Sequence, residues 1–129
     1  MKLREIMRPS PQTATETTRL GEAHQLMTKL GIRHLPVVRD GRLCGILSTR
    51  DILAYRASSV IREDWWRAPV SAAMIATPQT ANPDDSLTEA AGRLASSRIG
   101  ALPVVERGAL IGIVTVTDVL NAEVRDAMA

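Results

Sequence analysis

The chain has 129 residues, 45% hydrophobic and 23% charged, which is one domain's length with material for a real core and too little for a regulatory unit joined to an ordinary enzyme domain. Sixteen basic against fourteen acidic residues give +2, so the pI near 9.2 reflects a flat titration curve and not a basic field that would draw nucleic acid. Cys44 is the single cysteine, which excludes an intrachain disulfide and a cysteine-rich zinc site, and no stretch approaches the roughly 18 apolar residues of a membrane span.

Charge interrupts the first residues, Met1-Lys2-Leu3-Arg4-Glu5, so the chain reads as untargeted, with a reducing cytoplasm as its expected setting. An extended segment through Met7-Arg8-Pro9 and Thr13-Ala14 precedes Leu20, Ala23, Met27 and Leu30, whose spacing predicts an amphipathic helix capped by Thr18 and ended by Gly31. Two β-branched runs follow at 35–39 and 42–48, and Asp40-Gly41 between them predicts a hairpin because glycine accepts positive φ. Ser48-Thr49-Arg50-Asp51 then opens a helix carrying Ile52, Leu53 and Tyr55. The stretch 54–70 is expected to hold that helix's tail and a turn before Pro69; its Trp65-Trp66 pair either covers an open core edge or meets a ligand or partner.

The same order then starts again. Residues 7–53 match residues 74–120 at a constant offset of 67, without a gap, and 19 of the 47 pairs are identical. Pro11-Gln12-Thr13-Ala14 returns as Pro78-Gln79-Thr80-Ala81, and Leu35-Pro36-Val37-Val38 as Leu102-Pro103-Val104-Val105. Ser86 and Glu89 have capping-box spacing ahead of Leu87, Ala90, Ala91 and Leu94; Arg98 stands where the first copy has Gly31, and Arg107-Gly108 replaces Asp40-Gly41. Thr115-Val116-Thr117-Asp118 opens a last helix with Val119, Leu120 and Val124. One copy alone would expose an apolar sheet face, whereas two copies together can bury both.

Ile32-Arg33-His34-Leu35-Pro36-Val37-Val38 with Gly45-Ile46-Leu47-Ser48-Thr49-Arg50-Asp51, repeated as Ile99-Gly100-Ala101-Leu102-Pro103-Val104-Val105 with Gly112-Ile113-Val114-Thr115-Val116-Thr117-Asp118, resembles the CBS-pair family, also called the Bateman module. The resemblance covers nearly the whole chain, as one module over 1–129 with a first motif at 7–58, a linker at 59–73 and a second motif at 74–125. It implies a mixed α/β fold, with two small three-stranded sheets and flanking helices packed about a pseudo-twofold axis. It also implies clefts that take an adenosine ligand such as AMP, ADP, ATP or S-adenosylmethionine, with Mg as an accompanying ion and no required cofactor, frequent homodimerisation, and signalling to a separately encoded effector protein.

On that reading Asp51 and Asp118, which when ionised only accept hydrogen bonds, suit the two neighbouring hydroxyls of a ribose. Ser48, Thr49, Thr115 and Thr117 help the helix starts to hold phosphate. Thr13, Ala14, Ile32, Leu35 and Pro36, with Thr80, Ala81, Ile99, Leu102 and Pro103, offer walls and backbone groups to adenine. Capping alone also accounts for Ser48 with Asp51 and Thr115 with Asp118, so the spacing leaves both readings open. Arg33, His34 and Arg50 stand opposite Gly100, Ala101 and Thr117 in the alignment, which concentrates expected phosphate-binding cations on the first copy; Arg98 either compensates in part or is a solvated helix-end charge.

Catalysis finds little support. His24 lies on an amphipathic helix, His34 lacks an uncommitted nucleophile, and there is neither a glycine-rich phosphate loop nor a metal-ligand cluster. Nucleic-acid binding is disfavoured because acidic residues interleave with the arginines and stacking aromatics are scarce. A module that only dimerises is the remaining alternative.

Overall fold

The computed structural model describes residues 1–58 and 63–129, so the part of the expected linker at 59–62 lies outside the described residues. The chain divides into two compact units, Gln12–Pro78 and Met1–Pro11 with Gln79–Ala129. In chain order the elements are α1 (Leu3–Ile6), β1 (Arg8–Pro9), β2 (Ala14–Thr15), α2 (Leu20–Leu30), β3 (His34–Arg39), β4 (Arg42–Ser48), α3 (Thr49–Ala57), 3-10 turns at Trp65–Arg67 and Val70–Ala72, β5 (Ile75–Ala76), α4 (Leu87–Ser97), β6 (Ala101–Glu106), β7 (Ala109–Thr115) and α5 (Val116–Ala127).

In the unit Gln12–Pro78 the sheet runs β2-β3-β4-β5, with β2 parallel to β3 and the other pairs antiparallel. Asp40 and Gly41 take φ of 50° and 78°, the double positive φ that a two-residue hairpin needs to match strand twist. The apolar face of α2 meets the inner face of the hairpin through Leu20, Met27, Leu35, Val37 and Leu47, all essentially inaccessible to water. Leu30 and Leu53 belong to their helices as expected but are exposed. Thr18 does not cap α2: its hydroxyl accepts from the Thr15 N–H at 3.1 Å, and the Leu20 N–H donates instead to the Ala68 carbonyl at 2.9 Å. Segment 68–70 thus ties the linker to the helix start, and Trp65 packs against this core while Trp66 is exposed with the Arg67 guanidinium 4.9 Å from its ring.

The second unit repeats this plan with differences. Its sheet runs β1-β7-β6, with Arg107 and Gly108 at φ of 52° and 81° in the hairpin turn. The expectation of two three-stranded sheets is therefore corrected to one of four strands and one of three. Ala81 makes a single parallel bridge to Val104 where Ala14–Thr15 forms a strand, because Pro83, at the position of Glu16, has no N–H with which to extend the pairing. At the start of α4 the Ser86 hydroxyl accepts from the Glu89 N–H at 3.0 Å, and Arg98 ends the helix in the left-handed conformation that Gly31 adopts at the end of α2.

The leading segments are exchanged between the copies. Strand β1, which precedes the first copy, pairs with β7 of the second; β5, which precedes the second, pairs with β4 of the first, in the same register. A glycine makes room in each case. A Cβ on Gly45 would lie 2.5 Å from the Met74 sulfur, and one on Gly112 would lie 2.5 Å from that of Met7, so the repeated methionines and glycines are one packing device used twice.

Candidate ligand-binding site

The expected site residues fall into one set per unit. In Gln12–Pro78, β3 begins at His34 directly opposite Ser48, the last residue of β4 and the cap of α3. The Ser48 hydroxyl accepts from the Asp51 N–H at 3.0 Å, and the Ser48 N–H donates to Asp51 Oδ2 at 2.8 Å, closing a full capping box. The Thr49 N–H donates to the Arg33 carbonyl at 3.1 Å, which fixes the approach to β3 against the first turn of the helix. Arg33, His34, Ser48, Thr49, Arg50 and Asp51 are therefore held at one end of the hairpin by backbone geometry. Asp51 Oδ1 makes no hydrogen bond or ion pair among the described residues, so half of this carboxylate remains available as an acceptor.

Other members of the set are less accessible. Leu35 and Pro36 are fully buried and Ala14 nearly so, hence their side chains serve the core; Ile32 is half-buried, and Thr13 is exposed beside β2. His34 is half-buried, and burial pushes its pKa below the ordinary value, aided by the Arg33 charge and opposed by Asp51. Arg33 and Arg50, both exposed, are the arginines of this set, and burial disfavours the charged form of the His34 ring.

In the other unit Thr115 and Asp118 build the same box, with Thr115 N–H to Asp118 Oδ2 at 3.0 Å and Asp118 N–H to the Thr115 hydroxyl at 3.2 Å. The Val116 N–H donates to the Gly100 carbonyl at 3.1 Å. Ala101, Leu102, Pro103 and Ala81 are buried, Ile99 and Gly100 are half-buried, and Thr80 and Thr117 are exposed. Asp118 has an additional partner: Nε of Arg8, on the exchanged strand β1, donates to its Oδ1 at 3.2 Å. No motif marked Arg8 as a site residue, and its only sequence signal is that it aligns with Ile75, between the identical pairs Met7 with Met74 and Pro11 with Pro78.

Two hairpin-and-helix units in tandem, each with a Ser/Thr-x-x-Asp helix start beside a Leu-Pro-Val-Val strand whose first three residues are buried, define a duplicated mixed α/β module. The chain belongs to the CBS domain family, whose model matches residues 3–58 and 70–125. It is 34% identical over 122 residues to inosine-5'-monophosphate dehydrogenase of Korarchaeum cryptofilum, covering 94% of this chain but 23% of that enzyme. It is 33% identical over 116 residues to the CBS domain-containing protein YhcV of Bacillus subtilis, covering 90% of this chain and 81% of that protein. Among solved structures, one described as an acetoin utilization protein (AcuB) from Vibrio cholerae superposes with a TM-score of 0.87 at 32% identity, covering 99% of this chain and 93% of that one. CBSX2 in complex with AMP gives 0.85 at 26% identity, covering 98% of each chain. The CBS domain pair of protein MJ0100, in complex with 5'-methylthioadenosine and S-adenosyl-L-methionine, gives 0.86 at 26% identity, again covering 98% of each chain. No described helix is long and apolar enough to cross a membrane.

Proposed function

We propose that this chain binds an adenosine-containing ligand of the AMP or S-adenosylmethionine class, and that Asp51 receives the ribose hydroxyls. The observation that carries this reading is the half-used Asp51 carboxylate: its Oδ2 completes the helix cap, while its Oδ1 is left to accept from a ligand. Support comes from structural neighbours at 26% identity that hold AMP, or methylthioadenosine and S-adenosylmethionine. Arg33 and Arg50 supply cations beside that set for a phosphate or carboxylate, and half-buried His34 supplies a polar wall.

Thermal unfolding with AMP, ATP, S-adenosylmethionine, 5'-methylthioadenosine and 2'-deoxy-AMP tests this. A ligand at about 100 times its Kd stabilises the native state by about 2.7 kcal/mol. That gain should shrink severalfold with 2'-deoxy-AMP and in Asp51→Asn, where the amide oxygen can still accept from the Ser48 N–H and so spares the cap. Equal stabilisation by ribose and deoxyribose ligands, or an unaffected Asp51→Asn variant, would sink the assignment.

Occupancy is proposed to be read by a separate effector protein in a cytoplasmic setting, by shifting the balance between two conformations. A homodimer is favoured by one observation. Val116, Leu120 and Val124 lie four residues apart along α5, with Met128 at its C-cap, and are 42%, 54%, 54% and 81% exposed, an apolar stripe facing away from the core. Sedimentation equilibrium should give twice the 14.0 kDa chain mass at micromolar concentration, and Leu120→Lys should return it to the monomer mass. A monomer at high concentration would refute the dimer.

A further inference from the structure

Building on the ribose reading of the two aspartates, we infer that Arg8 makes the copies unequal ligand sites by occupying Asp118, leaving Asp51 as the carboxylate open to a nucleoside. The two acids are otherwise closely matched. Each is the third residue of its helix, each returns one oxygen to the backbone N–H of its Ser or Thr cap, and each follows the same hairpin register. The difference enters from the exchanged strands. Arg8 sits opposite Ile113 in β7, and Ile75 sits opposite Ile46 in β4, so the position that presents a guanidinium to Asp118 presents a hydrocarbon side chain in the other unit.

With Thr115 N–H on Oδ2 and Arg8 Nε on Oδ1, both oxygens of Asp118 are engaged inside the protein. Its side chain is 10% exposed, so the carboxylate is largely shielded from water, whereas that of Arg8 is 60% exposed. A ribose diol seeking this carboxylate must displace or crowd the guanidinium, and the ion pair it would replace carries a Coulombic attraction that a neutral hydroxyl donor lacks. Among the described residues no guanidinium or ammonium group is bonded to Asp51. Arg8 is thus a specificity-determining residue for the Asp118 set, and it reverses part of the charge asymmetry that alignment alone suggests: the copy with fewer loop cations borrows one from the other end of the chain.

The test uses adenosine, which lacks phosphate, so that guanidinium attraction to an anion does not enter. Titration calorimetry on the full chain carrying Asp51→Asn isolates the Asp118 set, with and without Arg8→Ile. Isoleucine already occupies the equivalent strand position at 75, and Arg8 is exposed, so the variant suits β1; circular dichroism checks its fold. Removing Arg8 should tighten adenosine about fivefold, the upper range for an ion pair with an exposed partner. An unchanged or weaker adenosine affinity overturns the inference, as does no adenosine binding in the double variant when wild type binds it. A loss of AMP binding larger than any change for adenosine also overturns it, because Arg8 would then be a phosphate ligand and not a competitor. If wild type itself binds no adenosine, it is the ribose reading that fails, and this inference falls with it.

Discussion

Replacing Leu102 with alanine is expected to cost about 2–5 kcal/mol of unfolding free energy, the largest effect of any single change considered for this chain. Leu102 is wholly inaccessible and stands in β6 at the centre of the core that also contains Leu3, Leu94, Val104 and Val114. Truncation removes the transfer free energy of its buried methyl groups. It also leaves a cavity that cannot collapse easily, because the neighbours come from several elements: Leu3 from α1, Leu94 from α4 and Val114 from β7. With native stabilities commonly about 5–15 kcal/mol, such a loss would populate unfolded chain at 37 °C. Urea unfolding measures it, and Leu102→Met, which conserves volume, is the control expected to lose under about 1.5 kcal/mol. A loss below about 1 kcal/mol in Leu102→Ala would mean that the site is loosely packed and that its repetition as Leu35 reflects something other than core filling.

Gly112→Ala is expected to be destabilising by about 1–3 kcal/mol despite adding one methyl group. The new Cβ would come 2.5 Å from the sulfur and 2.9 Å from Cγ of Met7, and 3.1 Å from the Arg8 carbonyl oxygen. The methionine is flexible and can yield; the carbonyl belongs to a two-residue strand paired with β7 and can retreat only by loosening that pairing. Hence Met7→Ala should restore part of the loss in the double variant and leave a remainder. Gly92→Ala is the counterpart: in mid-α4, with nothing beyond its chain neighbours and its own helix backbone within 4 Å of the added Cβ, it should be neutral or stabilising by up to about 1 kcal/mol. A harmless Gly112→Ala would show that β1 is not held where Arg8 needs it, which ties this stability measurement to the asymmetry of the two ligand sets.

The two predictions differ in how visible their causes were in the sequence. Leu102 repeats Leu35 in the sequence, which placed both among the expected adenine walls; their full burial instead gives both side chains to the core. Gly112 repeated as well, but the reason is the methionine above it, more than 100 positions earlier in the chain.

What the sequence by itself determined is local or repeated. Asp40-Gly41 and Arg107-Gly108 specify hairpin turns because backbone sterics act within the dipeptide, and Ser48 with Asp51 specifies a helix start because cap and third residue are one turn apart. The gapless offset of 67 made the duplicated plan, and with it the family, legible from residue order alone. Tertiary structure decided what depends on partners distant in sequence. The Ala68 carbonyl displaced Thr18 as the partner at the start of α2, burial lowered the pKa of His34, and strand exchange placed Arg8 on Asp118, while among the described residues Asp51 forms no ion pair with an arginine or lysine. Hydrogen bonds, desolvation and ion pairs depend on distance in space, and a constant repeat offset carries no record of which copy's leading strand crosses to the other.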